Sequence, residues 1–158
     1  MALNLPLPKQ IFAHPWVLMG DGKMSKSKGN VTSPTDISEK YGTDALRMGL
    51  LIGNTPGTDM NLDPDKINAY RKFANKIWNI SRFVLTAVHE VGLETVTLSK
   101  EEDVSLRTEV DALAKEVTLD IEKYRLYIAG EKLYHFTWHR FADEVLEESK
   151  AILQGEDM

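Results

Sequence analysis

The stretch from Asp63-Pro64 to Gly92 constrains the fold most. Aspartate is a favoured helix cap, and a proline in the first helical position gives up an N–H that has no partner there anyway. Beyond it Ile67, Tyr70, Ala74, Ile77, Val84, Val88 and Val91 recur at intervals of mostly three or four, broken only at Ser81. That period places them on one inward stripe of a long helix ended by Gly92. Ser99 and Glu102 then form a capping box for a second long helix, with Leu106, Val110, Leu113, Val117, Ile121 and Tyr124 inward. A third runs from about Leu126 to Leu153, with Ala129, Leu133, Phe136, Phe141 and Val145 inward. Short connections favour antiparallel neighbours, so the pattern predicts three long helices packed as a bundle.

The part before Asp63 reads differently. Residues 1–8 contain Pro6 and Pro8 and form an irregular lead-in. Ile11, Phe12, Trp16, Val17 and Leu18 read as one buried strand interrupted near Pro15, then broken by Gly20-Asp21-Gly22. A lone strand cannot bury itself, so it pairs with something absent or is loose. After a loop at 20–34, Asp36 to Tyr41 forms a short helix stopped by Gly42. Thr43 caps another that ends near Ile52, before Gly53-Asn54. The expected architecture is mainly α: a small α/β piece over residues 1–62, then an antiparallel helical bundle over 63–158.

Composition narrows the class. With 42% hydrophobic and 27% charged residues among 158, the chain has material for a core and is no disordered segment. It has no cysteine, which excludes disulfides and thiolate metal sites and fits a reducing cytoplasm. No apolar run is long enough to span a bilayer, and Met1-Ala2-Leu3-Asn4 does not begin a signal peptide. The expectation is a cytoplasmic protein without a membrane partner. Net charge is −5, against a non-specific nucleic-acid binder. It is unevenly spread: residues 1–90 hold 11 Lys/Arg and 8 Asp/Glu, and residues 91–158 hold 8 and 16. Any polyanion should meet the first half.

Lys23-Met24-Ser25-Lys26-Ser27-Lys28-Gly29-Asn30 places three lysines within six residues, between a Gly-rich turn and a glycine. A loop of this kind brings ammonium groups and backbone N–H donors to a polyphosphate, and lysine suits the task as a point charge on a long stem. An exposed basic loop without function fits charge and flexibility equally well. Lys23-Met24-Ser25-Lys26-Ser27 matches, letter for letter, the KMSKS signature of class I aminoacyl-tRNA synthetases. The chain resembles that family further in Lys40-Tyr41-Gly42-Thr43-Asp44-Ala45-Leu46-Arg47. Pro56-Gly57-Thr58-Asp59, the stretch from Phe73 to Val84, and Tyr124-Arg125, Leu133-Tyr134, Phe136, Trp138, Phe141 and Asp143 are similar to its valyl members. Tyr127, Gly130 and Glu144-Val145 depart from the valyl pattern. The resemblance implies ATP binding by Lys23, Met24, Ser25, Lys26 and Ser27. Lys23 and Lys26 would be catalytic, Lys26 foremost, stabilising charge on the triphosphate as pyrophosphate leaves. Mg2+ would accompany ATP in the full enzyme, with no metal bound by this chain.

On the long helix Arg71, Asn75, Trp78 and Arg82 lie at spacings of four, three and four, with Lys72, Lys76 and Asn79 beside them. Guanidinium groups flanking an indole suit single-stranded RNA, whose bases stack on such planes while cations meet phosphates. The alternative is a core Trp78 with arginines that keep the helix soluble. The resemblance implies a bundle that docks the tRNA anticodon arm, with Arg71, Asn75, Lys76, Trp78 and Arg82 as contacts. His135 and His139 have the helical spacing of a zinc pair, but Phe136 stands where the motif has glutamate, and no third ligand is evident. Glu144, Glu147 and Glu148 read as a solvated face.

The family also uses a HIGH-type motif, an amino-acid pocket and, in valyl members, an editing domain, and His14-Pro15-Trp16 is not that motif. The expectation is a piece of a valyl-type ligase, partnered by tRNA and the rest of the catalytic domain, without DNA, and inactive alone. The alternatives are a leucyl- or isoleucyl-type piece, or a helical protein–protein module with a remnant loop.

Overall fold

The computed structural model describes residues 6–11, 13–19, 22–25, 27, 29, 31–91 and 101–153. Its elements are β1 (Val17–Leu18), α1 (Pro34–Tyr41), α2 (Thr43–Leu51), β2 (Met60–Asn61), α3 (Pro64–Val91), α4 (Glu101–Glu122) and α5 (Leu126–His135). A π-helical stretch (Phe136–Val145) then leads into α6 (Leu146–Leu153), so α5 to α6 form one continuous helical rod. The chain is mainly α with a small two-stranded piece before the bundle, the class its sequence predicts.

The expected strand at 11–18 shrinks to Val17–Leu18, and Ile11 and Trp16 are exposed; Phe12 lies outside the described residues. Pro15 donates no N–H, and the partner is equally short: β2 runs parallel, with Val17 opposite Met60. The partner is therefore within this chain. Ser33 caps α1, accepting from the Thr35 N–H at 3.2 Å, so the helix starts earlier than Asp36. Gly42, not Thr43, is the N-cap of α2, and it also closes α1 by donating to the Ser38 carbonyl at 2.8 Å. Its φ of 94° makes the sharp joint between the two helices, a backbone conformation open to glycine and strained for other residues. At the far end of α2, the Asn54 amide donates to the Gly49 and Leu50 carbonyls at 3.1 and 2.9 Å, which explains the stop read at Gly53-Asn54.

The core begins where α1, α2 and α3 meet. Ile37, Ala45, Leu46, Leu62 and Ile67 are buried together, with Val17, Met19, Tyr41 and Tyr70 packed around them. Asp63 caps α3 as expected, its carboxylate accepting from the Asp65 N–H at 2.9 Å. The expected single inward stripe of α3 is instead two faces. Ile67, Tyr70 and Ala74 lie toward α2, whereas Phe73, Lys76, Ile80 and Phe83 lie toward the α5–α6 rod. Ile77 continues the α2 side, lining a depression with Ala74 and Leu51, yet it and Val88 are exposed. Phe73 packs on Tyr134 at 4.6 Å and on Trp138 at 5.7 Å between ring centroids.

The rod also carries α4. The pairs Glu116–Lys132 and Glu109–Arg140 run in opposite directions along the two helices, so α4 and α5 are antiparallel. Val117 is buried as expected, but Val110, Ile121 and Tyr124 are exposed, and Ser99 of the capping box lies outside the described residues. Asp120 takes the inward place at the end of the stripe, only 2% exposed. Its carboxylate lies 2.5 Å from Arg125 Nη2 and 3.0 Å from Lys132 Nζ. The turn beyond it closes α4 in a Schellman arrangement, with Arg125 N–H on the Asp120 carbonyl and Tyr124 N–H on Ile121. Tyr124 takes the left-handed position usually given to glycine, at φ 57°. In the rod, Leu133 is exposed against expectation and Ala142 and Leu146 are buried. The π stretch, where Leu146 N–H reaches the Phe141 carbonyl, adds a residue per turn and shifts the inward register.

Gly130, one of the departures from the valyl pattern, lets α5 approach α2: a Cβ there would stand 2.8 Å from Ile52 Cγ1. Gly130→Ala should therefore lower stability by about 1 kcal/mol despite alanine's better helix propensity, because Ile52 is buried and stiff. Gly49→Ala, whose Cβ meets nothing nearer than 3.5 Å, should raise it by a similar amount in urea titrations. Acid provides a second check. The Lys132 ammonium, and then Arg125, hold the Asp120 carboxyl below the usual carboxylate range against the opposing effect of burial. A depressed pKa stabilises the fold above the unfolded value near pH 4 and loses that contribution as pH falls through the folded one. Melting temperature should drop across that acid range, and Asp120→Asn should flatten the drop while lowering stability at neutral pH.

Candidate functional site

The lysine-rich loop leaves β1 at its C-terminal end. Met19 N–H donates to the Gly22 carbonyl at 3.2 Å, and Leu18 bridges antiparallel to Lys23, so the chain reverses and starts the loop beside its own strand. Parallel pairing anchors that strand: Met60 N–H donates to the Trp16 carbonyl at 2.8 Å and Leu62 N–H to the Leu18 carbonyl at 2.9 Å. Lys23 is exposed, with its ammonium 3.2 Å from the centroid of the Trp16 ring. Met24 and Ser25 are half-buried, Ser27 is exposed, and the Ser25 and Ser27 hydroxyls hydrogen-bond each other at 2.7 Å. The loop returns through Thr32, which donates to Met19 Sδ at 3.0 Å, and through the Ser33 cap. Lys26, the residue expected to lead catalysis, lies outside the described residues, as does Lys28. The described part thus presents one cation and two hydroxyls at the edge of a small, well-anchored platform.

The second candidate surface is α3. Arg71, Asn75, Trp78 and Arg82 are all exposed, and Trp78, at 70%, is not a core residue. Its indole stands in solvent, two turns beyond Arg71 and one turn before Arg82. Trp78 and Arg82 also line a shallow depression of about 440 Å³ with Leu85 and His89. Lys76 is placed differently. It is half-buried, 2.7 Å from Asp143 and 4.3 Å above the Trp138 ring, and so it ties α3 to the π stretch. Lys66 faces away as well, donating to Asn54 at 3.3 Å, and burial pulls its pKa down. The sequence sets Lys76 beside the arginine stripe; the Lys76–Asp143 partnership joins residues far apart in the chain and leaves no local signal.

Beside this face Lys72, Asn75, Asn79, Glu147 and Lys150 rim a groove of about 510 Å³ between α3 and the end of the rod. His135 and His139 stack at 5.6 Å, and His139 Nδ1 is 3.7 Å from Asp143. Glu144 and Glu147 pair with Arg140 and Lys150. Among the described residues, no three acidic or histidine side chains gather as a metal site requires, and no helix is long and apolar enough to cross a membrane.

Known proteins carry the same combination. Residues 3–63 match the family of tRNA synthetases class I (I, L, M and V), and residues 103–158 match the anticodon-binding domain of tRNA ligase. A valine–tRNA ligase of Clostridium acetobutylicum is 40% identical over 158 aligned residues, covering 94% of this chain and 17% of the relative. That of Clostridium perfringens is 41% identical over 85% of the chain and 16% of the relative. That of Pelagibacter ubique is 38% identical over 94% and 17%. The chain therefore spans about a sixth of the length of these relatives. In three dimensions it is similar to the Agrobacterium radiobacter K84 agnB2 LeuRS–tRNA–LeuAMS ternary complex, with a TM-score of 0.63, 23% identity, and coverage of 77% of this chain and 17% of that one. The chain thus matches class I tRNA synthetases over residues 3–63 and the anticodon-binding domain over residues 103–158, and along nearly its whole length it is similar to a segment of valine–tRNA ligases.

Proposed function

We propose that this chain serves ATP-dependent attachment of valine to tRNA(Val), with residues 1–62 ending the catalytic domain and residues 63–158 docking the anticodon arm. One observation carries the reading: near 40% identity to valine–tRNA ligases runs through 94% of the chain, across the lysine loop and the long helix alike. In the activation step a valine carboxylate oxygen attacks the α-phosphorus of ATP and pyrophosphate leaves. Lys23 and Lys26 bring positive charge to the phosphates as that charge develops, an effect strongest in a site closed to water. Met24 shapes the loop, and Ser25 and Ser27, already hydrogen-bonded to each other, add donors. Mg2+ comes with ATP as its counter-ion. The rest of the catalytic domain supplies the amino-acid pocket, and the working place of the assembly is the cytoplasm.

For RNA, Arg71 and Arg82 meet phosphates while Trp78 and Asn75 face unpaired bases; the exposure of all four supports this. Lys76 contributes from its place over Trp138 by fixing the angle of α3 and adding positive charge to the groove.

A chimera tests the enzyme reading: this chain replaces the matching stretch of the Clostridium acetobutylicum ligase. It should support valine-dependent pyrophosphate exchange, and Lys26→Ala should lower kcat about 100-fold, with Lys23→Ala somewhat less harmful. An active chimera indifferent to both changes removes the loop from the ATP site. For the RNA face, binding of the 158-residue chain to tRNA(Val) and tRNA(Leu) is measured at two salt concentrations. Arg71→Ala/Arg82→Ala should weaken binding and make the log–log salt slope shallower by about 1.4, the loss of two phosphate contacts. An unchanged slope would assign α3 to scaffold.

A further inference from the structure

We propose that Trp16 is a positioning residue for the lysine loop, holding the Lys23 ammonium on its indole face ready for an incoming polyphosphate. The inference rests on the reading of Lys23 as a ligand of ATP phosphates and adds the residue that orients it. Lys23 lies opposite Leu18 in the antiparallel bridge, and Trp16 precedes Leu18 by two. On an extended strand such residues share a face, so Trp16 and Lys23 are diagonal neighbours within reach of long side chains. The ammonium indeed stands 3.2 Å from the ring centroid.

The backbone of Trp16 is held on the side of β2. Trp16 accepts from Met60 N–H at 2.8 Å through its carbonyl and donates its own N–H to Asp59 Oδ1 at 3.3 Å. Its side of the platform is therefore fixed while the residue stays 61% exposed. A large apolar ring left this open gains little from burial, and the contact it makes is with a cation. Attraction between an ammonium and a ring quadrupole orients the charge. A lysine stem ordered in the free protein has less rotamer freedom to lose when phosphate arrives, which strengthens binding without a further contact.

The contact is tested first in the 158-residue chain by NMR. The Lys23 ε-methylene protons should be shifted upfield by the indole ring current and return to the ordinary lysine position in Trp16→Leu. A wild-type Lys23 already at that position overturns the proposal. Function is tested in the chimeric ligase by ATP-dependent exchange. Trp16→Leu should lower kcat/KM for ATP about 3- to 10-fold, and Trp16→Tyr should restore most of it. In a Lys23→Ala background Trp16→Leu should cost nothing more, whereas a merely structural tryptophan would cost the same in both backgrounds. Equal penalties, or no penalty where Lys23→Ala has one, overturn the positioning role alone. An active chimera that tolerates Lys23→Ala defeats the phosphate reading beneath it, and the NMR shift then reports only a contact.

Discussion

Everything in this structure depends on the burial of Ile67. The side chain is wholly enclosed beside residues of α1 and α2 and Leu62, which follows β2, so the first turns of the longest helix are part of the core of the small N-terminal platform. A fully buried isoleucine contributes about 1.5–3 kcal/mol, and here that energy adds to the Gly130–Ile52 approach of α5 to α2 in joining the two regions. The same helix then turns another face to the rod of α5, the π stretch and α6 through Phe73, Tyr134 and Trp138. One helix is thus shared by two packing units. The lysine loop is anchored to one and the exposed arginine–tryptophan face stands on the other.

Much of this was legible in the chain. Asp63-Pro64, Gly42 and Gly53-Asn54 act through local stereochemistry, so the ends of α2 and the start of α3 could be read within a residue or so. The loop motif was legible as a string of letters. What could not be read was the direction of burial. A 3.6-residue period says that a helix has an apolar side but not that two different neighbours cover it in succession, which is why Ile77 and Val88 were placed inward. The π stretch has no simple sequence mark, and it moved the buried positions to Ala142 and Leu146. Asp120 escaped for a similar reason: a buried carboxylate is stable only beside partners, and Lys132 belongs to the next helix.

The candidate site divides along the same line. Arg71, Asn75, Trp78 and Arg82 share a face because helix geometry alone places them there, and all four are exposed. Lys76 lies beside that stripe, and Asp143 and Trp138 capture it, since an ammonium near both a carboxylate and a ring is stabilised twice. Trp16 shows the converse. In the sequence it belonged to an apolar run, and only the reversal at Met19–Gly22 brings its ring under the loop.

The shared helix has a mechanical consequence. From Ile67 to Val91 it extends about 36 Å at 1.5 Å per residue. Packed along its length on the α5–α6 rod, it would carry that rod with it as a lever, and a tilt of about 5° at its buried root would sweep the tip through about 3 Å, roughly the reach of a hydrogen bond. Small strains in the platform arrive magnified at the distal turns, and a load on those turns is felt at the platform with the same leverage in reverse.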